Sequence, residues 1–244
     1  AGYARNIGLS HARGKWIIFA DADDFFTADC FTILNEYMDS PHKVIYFNVR
    51  FVMSDDPSQE SRRGTYYTNF FNDVNPENKL RYQSQVPWGK MIRRSFLSTF
   101  HIQFDETRIA NDVYFSCLVG IYAPKVTTDR RIIYYCTESD QSLAMSKQDR
   151  ESLIIRFNAS MKCNRLLRQE KIHYYLSPLP WCIPSAKTKE WLPAKYFFEY
   201  LFFFRLQAFK ELYYAFSAIL SHMNEPATKE TDNQCNKKTT NLKE

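Results

Sequence analysis

Three carboxylates, Asp21, Asp23 and Asp24, follow directly on an apolar run in the stretch KWIIFADADDFF, Lys15 to Phe26. Like charges this close repel and raise one another's pKa, and a fold accepts that most readily where something positive binds. If the strand continues through Asp21-Ala22-Asp23, alternate side chains share a face and both carboxylates can point into one pocket. Paired hard oxygens of this kind suit Mg2+ or Mn2+ held together with a substrate diphosphate. The plainer reading of the same residues is a solvated loop in which Asp24 caps the following helix. Other ligand types offer no competing site. The six cysteines form no CxxC pair, so zinc and thioredoxin-like chemistry have no support. The five histidines fall at no ligand spacing.

The elements around these carboxylates alternate between two periods. ARNIGLSHARG reads as a helix ending at Gly14, and Lys15 to Ala20 as a buried strand. Thr27 is a candidate N-cap for a helix through about Met38. Val44 to Val52 is a second strand, and the polar stretch from Ser54 to about Gln85 reads as loop with short elements. RRSFLSTF, from Arg93, and Ile109 to Ile121 read as helices. Val126 to Cys136 contains a strand, and Arg150 to Arg168 is a helix with Ile154, Phe157, Met161 and Leu167 as its apolar face. Strands alternating with helices predict an α/β sandwich with a mostly parallel sheet. In such sheets ligands sit beyond the carboxyl ends of strands, where Asp21 and Asp23 lie.

The chain has 244 residues, of which 45% are hydrophobic and 16% aromatic, enough for a packed core rather than a disordered chain. The formal net charge is +5, compatible with work near phosphates or an anionic membrane surface. No basic stripe accompanies the aromatics, which argues against a nucleic-acid binder. Scattered cysteines fit free thiols in a reducing compartment, and the expected location is cytoplasmic. Trp191 to about Ser221 reads as a long aromatic helix with Lys195, Glu199, Arg205 and Lys210 on a narrow polar side. Such a helix could lie on the inner membrane face as a peripheral contact, or pack against the catalytic domain or a second subunit, the reading favoured here. From Asn224 the tail is polar and expected to be disordered.

Four segments, in order, resemble family 2 glycosyltransferases. The opening GYARNIGLSHARGKWIIFADADD resembles the segment these enzymes carry before their metal site, with Arg5, Asn6, Gly8, Leu9, Ala12, Gly14, Asp21, Asp23 and Asp24 matching. VPWGKMIRRSFL, from Val86, resembles their W-G-K-x-x-R-R segment. FDETRIANDVYF, from Phe104, resembles the acceptor-site helix, with Asn111 replacing the first acidic residue of its E-D pair and Asp112 keeping the second. RIIYYCTESDQSLAMS, from Arg131, matches a strand and the Ser-containing loop after it.

The resemblance implies a GT-A type α/β sandwich that moves a sugar from a nucleotide-diphosphate sugar to an acceptor hydroxyl with inversion, in cell-surface glycan synthesis. It implies Mn2+ or Mg2+ as cofactor and a glycan or lipid-linked acceptor. Asp23 would hold the cation, with Asp21 and Arg5 on the donor side. Asp112 would be the general base. Trp88, Gly89, Lys90 and Asn111 would line the acceptor and sugar side, Trp88 offering a ring face and Lys90 a charge near phosphate. For Arg5 the equal alternative is a structural ion pair, for Trp88 core packing, and for Asp112 a carboxylate opposing the helix dipole. The strands that precede these motifs in the family are absent from the sequence, so an N-terminally truncated, incomplete sheet is expected. The Lys15 to Ala20 strand should then have an open neighbour position. The expected organisation is a partial catalytic domain over 1–146, a C-terminal helical extension over 147–223 and a tail over 224–244. The competing reading is an inactive GT-A-like fragment serving as a binding or scaffold module.

Overall fold

The computed structural model describes residues 1–61, 64–138, 149–182, 192–205, 209 and 211–213. The chain divides into two compact units, Ala1–Tyr196 and Phe197–Glu244. The elements are α1 (Gly2–His11), β1 (Trp16–Ile18), β2 (Phe25–Phe26), α2 (Cys30–Asn35), β3 (Val44–Met53), α3 (Gly64–Phe71), α4 (Pro76–Gln83), β4 (Lys90–Arg93), α5 (Arg94–Thr99), α6 (Asn111–Tyr122), β5 (Val126–Glu138), α7 (Arg150–Gln169), α8 (Leu179–Cys182) and α9 (Ala194–Phe204).

The first unit is an α/β sandwich built on a five-stranded sheet of order β1-β4-β3-β5-β2. β3 is its centre because its sequence allows nothing else. VIYFNVRFV is nearly unbroken apolar, which only a strand covered on both faces can bury, and Val44 through Phe47 are fully buried. The sheet is mixed rather than mostly parallel. β3 and β5 pair in parallel, while β1–β4, β3–β4 and β2–β5 are antiparallel. The alternation of strands with helices misleads here because β4, four residues long, and β2, two residues long, are too short to show a period. Both enter the sheet in the reverse direction. β4 fills the position between β1 and β3, leaving β1 at the edge with one partner among the described strands.

Local boundaries also shift. α1 ends at His11, with Ala12 already extended, so Gly14 is not its terminus. Thr27 does not cap α2: its N–H donates to the Ile133 carbonyl at 3.0 Å, and Asp29 precedes the helix. The polar stretch before β4 contains α3 and α4, the latter started by Pro76 and capped by the Asn75 side chain accepting from Asn78 N–H at 3.2 Å. α7 is capped by Asp149, which accepts from Ser152 N–H at 2.8 Å. It packs its Ala159, Cys163 and Leu167 against Val113 and Cys117 of α6. Phe157, Met161 and Leu167 are buried as expected, while Ile154 is half-buried.

α6 is held at both ends. Arg81 of α4 donates to the carbonyls of Gly120 and Ala123 at its C-terminus, the favourable end of the helix dipole for a cation. A Cβ on Gly120 would come within 1.8 Å of the Arg81 carbonyl oxygen, so only glycine admits this approach. α9 is shorter than the helix expected from Trp191, since Arg205, at φ 49, follows it in the left-handed region that ends helices. No described helix is long and apolar enough to cross a membrane. Trp191, the loop after β5, Lys210 and everything beyond Tyr213, including the tail from Asn224, lie outside the described residues.

Candidate active site

β1 stops at Ile18, and Asp21 to Asp24 form a turn closed by Asp24 N–H donating to the Asp21 carbonyl at 3.3 Å. The strand therefore does not run through the D-x-D. The turn, not strand alternation, sets where its carboxylates point. Each aspartate has a different job. Asp24 neither caps a helix nor faces solvent freely: it accepts from Tyr134 Oη at 2.7 Å and Thr137 N–H at 2.7 Å. Burial pushes its pKa up, those two hydrogen bonds pull it down, and Asp23 and Asp21 push it up again. The same Tyr134 hydroxyl accepts from Asp21 N–H at 2.8 Å, so one phenol from β5 fixes both ends of the turn. Burial, then the bond to Asp24, raises the Tyr134 pKa well above a free phenol's, keeping it a donor. Asp23 is exposed, and its backbone carbonyl accepts from Thr137 Oγ1 at 2.8 Å.

Asp21 points the other way. Its carboxylate accepts from Arg5 Nη2, and Arg5 Nη1 donates to Asn111 Oδ1 at 2.8 Å. Arg5 therefore bridges the turn after β1 to the first residue of α6. α1 can reach both because Gly2 has no side chain: a Cβ there would lie 2.1 Å from the Asp105 carbonyl oxygen. Asn6 locks the same contact, donating to Phe104 O at 3.0 Å and accepting from Phe104 N–H at 2.8 Å. The amide also reaches Glu106 at 3.2 Å.

Asp112 follows Asn111 in the first turn of α6, after Ala110 in the left-handed conformation. The residue is half-buried, but its carboxyl is well shielded. Burial pushes its pKa up, opposed by its own backbone N–H and by Arg5, while Asp21 pushes it up and Lys90 pulls it down. Asn111 is 6% exposed and serves as the Arg5 partner.

The W-G-K segment turns inward. Trp88 is 8% exposed and packs between Phe51, Tyr67 and Tyr134 at centroid distances of 5.6, 5.4 and 6.1 Å. Its alternative reading as core is the one the packing favours. Gly89, at φ +66, makes the turn; a Cβ there would sit 2.9 Å from Val49 Cγ1. Lys90 is fully buried, its ammonium donating to Ser84 O at 3.0 Å and Val86 O at 2.5 Å. A charge enclosed among carbonyls is not one presented to a phosphate in the cleft, contrary to the role expected for it.

The structure thus brings Arg5, Asp21, Asn111 and Asp112 together, while Trp88 and Lys90 are buried in the packing rather than presented with them. Tyr134 and Thr137 were not foreseen. Nothing in RIIYYC distinguishes Tyr134 from Tyr135; only the pairing of β5 with β2 decides which ring faces the aspartates.

The model of the glycosyl transferase family 2 matches residues 1–100. The match covers 100 of the 244 residues. No curated protein matches the sequence. Among solved structures, S. aureus TarS 1–349 in complex with UDP-GlcNAc matches with TM-score 0.52 and 19% identity, over 74% of this chain and 49% of that one. The mannosyltransferase PcManGT from Pyrobaculum calidifontis, in complex with GDP-Man and Mn2+, matches with TM-score 0.41 and 15% identity, over 73% of this chain and 46% of that one. The likeness to TarS shows a shared GT-A fold. The chain spans about half the length of the solved structures it matches.

A divalent cation is compatible with what the Asp21–Asp24 turn presents. Asp21 is engaged by Arg5 and Asp24 by Tyr134 and Thr137, which leaves the exposed Asp23 carboxylate as the open hard-oxygen donor. Among the described residues no cluster of three His, Cys, Asp or Glu could hold a metal by itself. One or two carboxylates suffice where substrate phosphates supply the remaining ligands, as for Mg2+.

Proposed function

We propose that the protein transfers a sugar from a nucleotide-diphosphate sugar to an acceptor hydroxyl, with inversion, in the synthesis of a cell-surface glycan. The observation that carries this reading is the Arg5 bridge. It joins the D-x-D turn to the N-terminus of α6, two segments about 90 positions apart whose residue types have complementary uses. On one side Asp23 is open to a cation bound with the donor diphosphate. On the other, Asp112 is a shielded carboxylate with a raised pKa, suited to take a proton from an attacking hydroxyl near neutral pH. A single displacement with the base opposite the leaving group inverts the anomeric carbon.

Asp23 would hold Mn2+ or Mg2+, which when bound neutralises the departing diphosphate. Arg5 orients Asp21 on the donor side and Asn111 beside the base. The donor of the TarS complex makes UDP-GlcNAc the first donor to try.

The test is release of nucleoside diphosphate from UDP-GlcNAc and other nucleotide sugars by the intact protein, with Mn2+ or Mg2+. Asp23→Ala should abolish the cation-dependent part. Asp112→Asn keeps the shape but removes the proton acceptor, so kcat should fall about 10²–10⁴-fold with donor affinity little changed. An unaltered kcat in Asp112→Asn would move the base elsewhere, with Glu106 the next candidate.

A further inference from the structure

The buried ammonium of Lys90 is unexplained by packing. Its enclosure is complete, and a lysine there gains nothing for the core that a methionine would not. Its ammonium donates to two carbonyls, Ser84 O and Val86 O, which offer partial charges rather than an anion. A buried cation needs more than that.

The groups facing it from each packed element can be named. From β3 comes Tyr46, whose ring lies 5.5 Å from the ammonium and whose phenol is kept neutral by burial. From α6 come Ser116, whose Oγ donates to Val86 O at 3.1 Å, and Asp112. The carboxylate whose charge acts on Lys90 is Asp112. Asp112 in turn is faced by Arg5 of α1, Asp21 of the turn after β1, and Lys90. Val86 O is shared: it accepts from Lys90 on β4 and from Ser116 one turn after Asp112, so both lie on the same side of α6.

We propose that Lys90 is a positioning residue for the Asp112 carboxylate. Its ammonium and Ser116 grip one carbonyl, which ties β4 to α6 one turn after Asp112, and its positive charge holds Asp112 ionised against the cost of burial. The inference rests on reading Asp112 as the base, but the physical coupling exists whether or not that reading holds. Arg5 and Lys90 both pull the Asp112 proton affinity down, so the base would answer to two cations. In a water-excluded interior such a charge acts far more strongly than it would in solvent.

The test reads the Asp112 proton directly. Protein carrying 13C at its aspartate carboxyl carbons is titrated by NMR, with Asp112→Asn assigning the signal. In Lys90→Met the Asp112 proton affinity should rise about threefold or more, while Ser116→Ala, which loses the shared carbonyl but keeps the charge, should leave the midpoint in place. A folded Lys90→Met with an unmoved midpoint overturns the proposal, as does an equal shift in Ser116→Ala. If Lys90→Met does not fold, the wild-type Asp112 signal must show a second inflection as Lys90 loses its proton, expected at about pH 7; a single inflection overturns the proposal. The acid limb of nucleotide release against pH should move up in Lys90→Met. If Asp112→Asn keeps full turnover while the NMR shift is present, the base assignment fails and the coupling stands.

Discussion

Arg5 and Lys90 show two ways in which one charged residue organises a site. Arg5 uses geometry: its planar fork contacts Asp21 and Asn111 at once, which an ammonium cannot reproduce. Arg5→Lys should therefore lose the Asn111 contact while keeping the charge. Hydrogen bonds to charged groups contribute about 1.5–3 kcal/mol, so kcat/KM should fall about tenfold or more, measured by nucleotide release, with the fold intact. Retention of full kcat/KM would show the bridge to be incidental. Lys90 uses burial. Desolvation pushes its pKa down to about 7 from the ordinary 10.5, opposed by Asp112. Between those values the unfolded chain binds more protons than the folded one, so stability rises with pH across that window. Urea midpoints should climb from about pH 7 toward pH 9 in the wild type, and that component of the climb should vanish in Lys90→Met. Parallel midpoints in the two proteins would mean that the ammonium is not desolvated in solution.

At the scale of elements, the site depends on close approaches that only glycine permits. α6 meets α4 at Gly120, where an added Cβ would strike backbone, the Arg81 carbonyl, at 1.8 Å. Backbone cannot rotate away as a side chain can, so Gly120→Ala must separate the helices and weaken the Arg81 cap. Overpacking of this kind costs about 1–3 kcal/mol, so the thermal midpoint should drop by several degrees, roughly 2–4 °C per kcal/mol at this size. An unchanged midpoint would mean that the helices already sit farther apart. The α1 contact at Gly2 obeys the same rule, 2.1 Å from the Asp105 carbonyl, and it delivers Arg5.

At the scale of the whole molecule, two separate surface features bear on association, and the first is that β1 has one strand partner among the described residues. α1 exposes Tyr3 and Ile7, four residues apart and 63% and 44% accessible, on one face of the helix. An open strand edge and an apolar helix face both favour self-association. The 244-residue chain alone should associate at micromolar concentrations, and Ile7→Lys should shift light scattering toward monomer without altering circular dichroism. Equal association in the two proteins would place the sticky surface elsewhere, with Phe31, 71% exposed, as the next surface to charge.

The sequence by itself determined what is local and periodic. The apolar run of β3 and the amphipathic α7 follow from side-chain spacing alone, and the helix read over Ile109 to Ile121 is α6, which starts two residues later at Asn111. The sequence also singles out Asp21, Asp23, Asp112 and Arg5 as candidates through the resemblance of their motifs taken in order. It could not show that β4 and β2 run in reverse, because strands of four and two residues carry too few side chains to display a period. Nor could it divide the labour among three neighbouring aspartates. That division comes from partners more than a hundred residues away, Tyr134 and Thr137, which claim Asp24. The inward turn of Trp88 and Lys90 was decided the same way. Their residue types suit a sugar site as well as a core, and only the packing of Phe51, Tyr67 and Tyr134 around the tryptophan, and of Ser84 and Val86 around the lysine, selects between them. Burial is a property of what surrounds a side chain, and what surrounds it is assembled from distant parts of the chain.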